Sequence, residues 1–143
     1  MTMRRLALGA VGTAALIGVL HGQQPARTTK DGVFTEEQAG RGRVLYKDRC
    51  ETCHGAELMG IEAAAPLAGF MFQADWNAAT LGELFERIRI SMPKDKPGTL
   101  SRQEAADAVA FILSANKFPA GQAELPRETE ALMAIKIEAP LGR

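Results

Sequence analysis

Cys50-Glu51-Thr52-Cys53-His54 sets two thiols three positions apart, with an imidazole directly behind the second. This order of residue types suits covalent attachment of one c-type haem: each thiol forms a thioether with a vinyl group, and the imidazole comes up beneath the iron as proximal ligand. These are the only two cysteines in the chain, and the other histidine, His21, lies close to the N-terminus. Two other chemistries use Cys-x-x-Cys. A redox dithiol of the thioredoxin kind needs a βαβ setting, which the surrounding pattern lacks. A zinc site needs four ligands, and the chain otherwise offers only His21 and carboxylates.

A haem raises the question of the sixth ligand, for which there are six methionines. Met1 and Met3 fall in a leader and Met133 in the C-terminal tail. Met59 follows His54 too closely, and Met71 sits in an aromatic stretch with Phe70, Phe72 and Trp76. Met92 is best placed, because Pro93 forces it out of helical geometry and so presents it on a loop at the end of a helix. His/Met ligation favours electron transfer and leaves no open position for a substrate.

The elements that must position these groups are helical. Thr35 is an N-cap, with Gln38 completing a capping box and Phe34 placed to staple against Ala39. The helix so started runs to about Asp48, turns Ala39, Gly42, Leu45 and Tyr46 inward, and delivers Cys50. Gly42 in its interior costs roughly 1 kcal/mol relative to alanine, which implies a close approach by another helix. Gly55 to Phe72 reads as a loop, with a short helical turn near Ile61 to Ala65. Thr80 and Glu83 form a second capping box before Leu81, Leu84, Phe85 and Ile88, a stripe ending near Ser91. Pro97-Gly98 makes a turn, and Ser101 and Glu104 form a third box before Ala105, Ala108, Val109 and Ile112, with the helix stopping near Asn116.

Around this region, residues 23–33 read as a polar linker, 34–120 as one domain, and 121–143 as a tail with a short helix between Pro126 and Ile135. No strand pattern or repeat is present. Residues 1–22 read as a signal peptide or an uncleaved N-terminal anchor: Arg4 and Arg5 precede the uncharged run Leu6 to Leu20, shorter than the roughly 20 residues of a membrane span. The globular part is therefore expected to be exported and periplasmic, tethered to the membrane only if that segment is uncleaved. The chain is formally neutral, with 24% charged and 6% aromatic residues. Neutrality excludes the basic bias of nucleic-acid binders, and so lean an aromatic content suits a core completed by a porphyrin.

Helix, Cys-x-x-Cys-His, long loop, helix, Met-Pro loop and helix, from about Thr35 to Asn116, resemble a class I monohaem cytochrome c. The resemblance implies an all-α cytochrome c fold, with three principal helices and long loops around one covalent haem. It places Gly42 and Tyr46 at the crossing with Phe111 of the last helix. It implies that the Pro66 carbonyl accepts the Nδ1 hydrogen of His54, and that Met92 is the distal ligand. Trp76 and Arg87 or Arg89 are suited to the haem propionates, since buried carboxylates require partners. The runs Thr80 to Phe85, Ser91 to Pro93, Pro97 to Ser101 and Asn116 to Gly121 are similar to exported cytochromes associated with quinoprotein (PQQ) dehydrogenases. That narrower similarity implies a dehydrogenase as donor and a terminal oxidase or another cytochrome as acceptor. No catalytic residue is expected. A subunit fixed in a larger complex, or a haem enzyme or gas sensor with an open distal position, are the other functions the motif allows; no second histidine outside the leader supports the last.

Overall fold

Two fourteen-residue helices cross at a glycine. In the computed structural model, which describes residues 27–139, α1 (Glu36–Arg49) packs along α5 (Arg102–Ala115). A Cβ built on Gly42 would fall on the backbone carbonyl of Asp107 and lie 2.8 Å from the Phe111 Cβ. The crossing is therefore set by backbone against backbone, and the propensity cost of Gly42 is offset by the approach it permits. Beside it the Tyr46 and Phe111 rings meet with centroids 5.1 Å apart, as the resemblance implied. Replacing Gly42 by alanine is expected to destabilise the protein by about 1–3 kcal/mol, because overpacking outweighs the gain in helix propensity. Denaturant titration checks it, and an unchanged midpoint would refute a closed crossing.

The remaining helices are α2 (Glu51–His54), α3 (Gly69–Trp76), α4 (Leu81–Ser91) and α6 (Thr129–Met133). The capping boxes at Thr80 and Ser101 are both complete. α4 stops where expected, with Met92 extended at φ −121°, ψ 154° before Pro93. Among the described residues the fold is all-α apart from one two-residue ladder and an isolated bridge between Thr80 and Lys136, and its core lies among α1, α4, α5 and the C-terminal segment.

Four local expectations are corrected. Thr35 does cap α1 by accepting from the Gln38 N–H, but the Gln38 side chain does not return to the cap. It is fully buried, donates to the Leu125 carbonyl at 3.3 Å and accepts from the Leu125 N–H at 2.7 Å. Residues 61–65 form no helix; the helical turns of this region come later, as α3, and carry Phe70, Met71, Phe72 and Trp76. Residues 27–33 are not a bare linker. Arg27–Thr28 (β1) pairs in parallel with Ile135–Lys136 (β2), and Thr29 and Val33 are buried. The tail likewise contributes Leu125, Leu132, Ile135 and Ile137 to the core, with α6 packed on α4. Two segments that carry no period of their own are thus held by each other. Residues 1–22, expected to be a signal peptide or anchor, lie outside the described residues.

Candidate functional site

Helix α1 ends by handing its chain directly to the two thiols. The Cys50 N–H closes α1 on the Tyr46 carbonyl at 2.8 Å, and the Cys50 carbonyl begins α2 by accepting from the N–H groups of Cys53 (3.2 Å) and His54 (3.0 Å). One turn therefore carries Cys50, half-buried, Cys53, exposed, and His54, buried. Neither cysteine is in a disulfide, and before any attachment burial pushes the Cys50 thiol up to about 11. Gly55 terminates the turn at φ 77°, ψ 156°, a region essentially closed to other residues.

His54 Nδ1 lies 2.8 Å from the Ala65 carbonyl oxygen. A carbonyl can only accept, so Nδ1 carries the hydrogen and Nε2 presents its lone pair. The acceptor is therefore Ala65 and not Pro66, which corrects the implied bond by one residue. The physical reason is the reach of proline: its ring restricts the residue before it to extended backbone, so Pro66 acts on the orientation of the preceding carbonyl. No buried side-chain nitrogen or oxygen among the described residues lacks a partner. Nε2 has no protein partner among those residues, so it must lie where solvent or a ligand reaches it.

The loop that brings Ala65 to the imidazole folds back on the thiol turn. Gly60 N–H donates to the His54 carbonyl at 2.9 Å and Ile61 N–H to the Cys53 carbonyl at 3.0 Å. Leu67 and Ala68 N–H groups both reach the Leu58 carbonyl, at 2.7 and 3.2 Å. Along this segment and into α3 large apolar side chains stand exposed: Met59 at 58%, Ile61 at 49%, Phe70 at 81% and Met71 at 53%. The imidazole with a fixed tautomer, two thiols on one turn and uncovered apolar side chains nearby in sequence together fit a flat apolar group attached at Cys50 and Cys53. Zinc fits less well: among the described residues no three His, Cys, Asp or Glu side chains gather into a metal-binding set.

Residues 37–112, just over half of the chain, match the family described as Cytochrome C oxidase, cbb3-type, subunit III. The chain belongs to this family of cytochrome c domains. Its cofactor is accordingly haem c and its chemistry electron transfer. A chain of the sulfane dehydrogenase SoxCD from Paracoccus pantotrophus is similar in structure, with a TM-score of 0.52 at 20% sequence identity. The likeness covers 88% of this cytochrome and 66% of that chain, just under two thirds of its length, and it shows the fold. No curated protein sequence matches.

The other sequence-derived site residues of the cytochrome are less tightly gathered. Trp76 is half-buried against Phe72, with ring centroids 6.4 Å apart. Arg89 is engaged by Glu86 at 2.7 Å, whereas Arg87 is exposed beside a shallow depression shared with Glu83, Glu86, Ile90, Ser91 and Met133. Met92 is half-buried at the end of α4. No hydrogen bond or aromatic contact among the described residues joins Trp76, Arg87 or Met92 to the thiol turn. No helix among the described residues is long and apolar enough to cross a membrane. Sequence reasoning missed the Ala65 carbonyl, which as a backbone group has no residue signature. It also missed that the Tyr46 hydroxyl donates to the Gly55 carbonyl and the Asn116 amide to the Leu67 carbonyl, on either side of the His54–Ala65 bond, although a buried tyrosine always poses the question of where its O–H bonds.

Proposed function

We propose that the chain is an exported one-electron carrier holding a single covalent haem c through Cys50 and Cys53. His54 is the proximal ligand through Nε2, and Met92, held off the helix by Pro93, is the distal one. The observation that carries this reading is the His54 Nδ1 bond to Ala65 on the same turn as both thiols, in a cytochrome c domain. Bound haem c supplies reversible ferric/ferrous chemistry. The protein ligates, buries and orients; it makes no bond to substrate. Trp76 and Arg87 are the side chains left to meet the propionates, since Glu86 already holds Arg89.

The class I monohaem pattern and the runs shared with quinoprotein-associated cytochromes support a dehydrogenase as donor, with a terminal oxidase or another cytochrome as acceptor. The leader at residues 1–22 supports a periplasmic location. A second reading, a cytochrome subunit fixed in a dehydrogenase complex, is favoured by the similarity to a chain of a sulfane dehydrogenase. Copurification separates the two: a subunit stays with its enzyme through gel filtration, and a carrier elutes alone.

Pyridine-haemochrome spectroscopy of the matured protein is expected to report one c-type haem per chain, and ferric protein to show the methionine–iron charge-transfer band. Met92→Ala is expected to abolish that band and lower the potential, since the thioether favours ferrous iron. Zinc in place of haem would sink the proposal. A band that persists in Met92→Ala would transfer the distal role to Met59 or Met71.

A further inference from the structure

Two buried side chains from opposite helices end on the backbone that frames the His54–Ala65 bond. Tyr46, on α1 and 3% exposed, donates its hydroxyl hydrogen to the Gly55 carbonyl at 2.6 Å, directly after the ligand. Burial pushes this phenol up, so it stays a donor throughout the working pH range. Asn116, the 4%-exposed C-cap of α5, donates to the Leu67 carbonyl at 2.8 Å and to the Ile112 carbonyl at 2.9 Å. Its own oxygen accepts from the Gly69 N–H at 3.0 Å. Leu67 and Gly69 lie immediately beyond Ala65-Pro66. One end of the loop from Gly55 to Gly69 is thus held by α1 and the other by α5, and α1 and α5 are locked together at Gly42.

We infer that Tyr46 and Asn116 are positioning residues that set the strength of the His54 Nδ1–H bond to the Ala65 carbonyl, and through it the donor power of the imidazole toward the iron. The inference rests on the haem reading above. A firm Nδ1–H···O=C bond makes the imidazole more basic, which favours ferric iron and lowers the potential. Loosening either post weakens that bond and raises the potential. Neither residue touches the ligand, so the helix crossing itself tunes the redox centre.

The test uses holoprotein with Tyr46→Phe, which keeps the ring on Phe111 and removes only the hydroxyl, and Asn116→Leu, which keeps the volume, adds no charge and removes the bonds to Leu67, Ile112 and Gly69. Leu132→Val, in α6, serves as a variant that loses stability elsewhere. The midpoint potential and the exchange rate of the His54 ring N–H in the ferrous state, read by NMR, are measured for each. Both positioning variants are expected to exchange the ring N–H about tenfold faster and to shift the reduction equilibrium toward ferrous by up to about tenfold, equivalent to about 59 mV for one electron. Leu132→Val is expected to melt earlier with neither change. Wild-type potential and exchange in both positioning variants, or equal shifts in Leu132→Val, would overturn the inference. A haemochrome assay on every sample separates that result from failure of the haem reading itself.

Discussion

Cys50→Ser combined with Cys53→Ser is expected to yield a chain from which acid acetone extracts all haem, and whose cooperative melting is lost or falls by tens of degrees. The first part follows from the proposed thioethers at Cys50 and Cys53, the only cysteines in the chain. The second follows from the core. Of the six phenylalanines, Phe70 is 81% exposed and Phe111 half-buried, while Phe34, Phe72, Phe85 and Phe118 are buried in the polypeptide core. Met59, Ile61, Phe70 and Met71, which follow the thiol turn in sequence, stay about half exposed or more. Each 100 Å² of that apolar surface covered by a porphyrin stabilises the fold by about 2.5 kcal/mol. A few such units amount to a large fraction of the roughly 5–15 kcal/mol that holds a domain together. His54 remains in the double variant, so added haem is expected to bind reversibly and restore part of the melting temperature. Thermal melts by circular dichroism, with and without haem, measure this. A double variant that melts like the wild type without haem would show that the polypeptide core is sufficient alone.

What could be read in the sequence was what is local. The boxes at Thr80–Glu83 and Ser101–Glu104 formed as written, since each closes within one turn. The helix end at Met92 was legible through the restriction that Pro93 places on its neighbour. Gly42 announced a close contact, and the resemblance named its partner helix. Gln38 looked like a local cap partner and is instead bonded 87 residues away, a pairing for which no spacing rule exists. The first turn of α3 falls at the end of a stretch, Gly55 to Phe72, whose glycines, Pro66 and lack of a period read as loop; Gly69 begins the helix at φ 77° and Ala68 offers no capping side chain to signal it. The candidate site shows the same division: Cys50, Cys53 and His54 declare themselves by type, whereas Ala65 acts through a backbone carbonyl. The β1–β2 ladder could not be read, since two residues show no alternation and parallel partners lie far apart in sequence.

That unread segment gives the second large effect. A chain ended after Gln122 is expected to lose cooperative folding at ordinary temperature, even when the thiol turn and all of residues 37–112 are intact. The truncation removes Leu125, Leu132, Ile135 and Ile137, exposed by 3% or less. At about 1.5–3 kcal/mol per fully buried aliphatic side chain, an upper estimate of the loss is about 6–12 kcal/mol, the size of a whole domain's stability. It also strips Gln38 of both Leu125 bonds within the core, and a buried amide left unpaired costs about 1–3 kcal/mol more. β1 loses the strand it pairs with, and α4 loses the α6 face on which Gly82 meets Met133. Gln38→Leu in the full-length chain separates the contributions. It removes the bonds but keeps the aliphatics, and is expected to cost about 1–3 kcal/mol by denaturant titration while haem attachment continues. If the truncated chain matures and melts within a few degrees of the full-length protein, then the C-terminal segment is an accessory to the cytochrome fold and not part of its core.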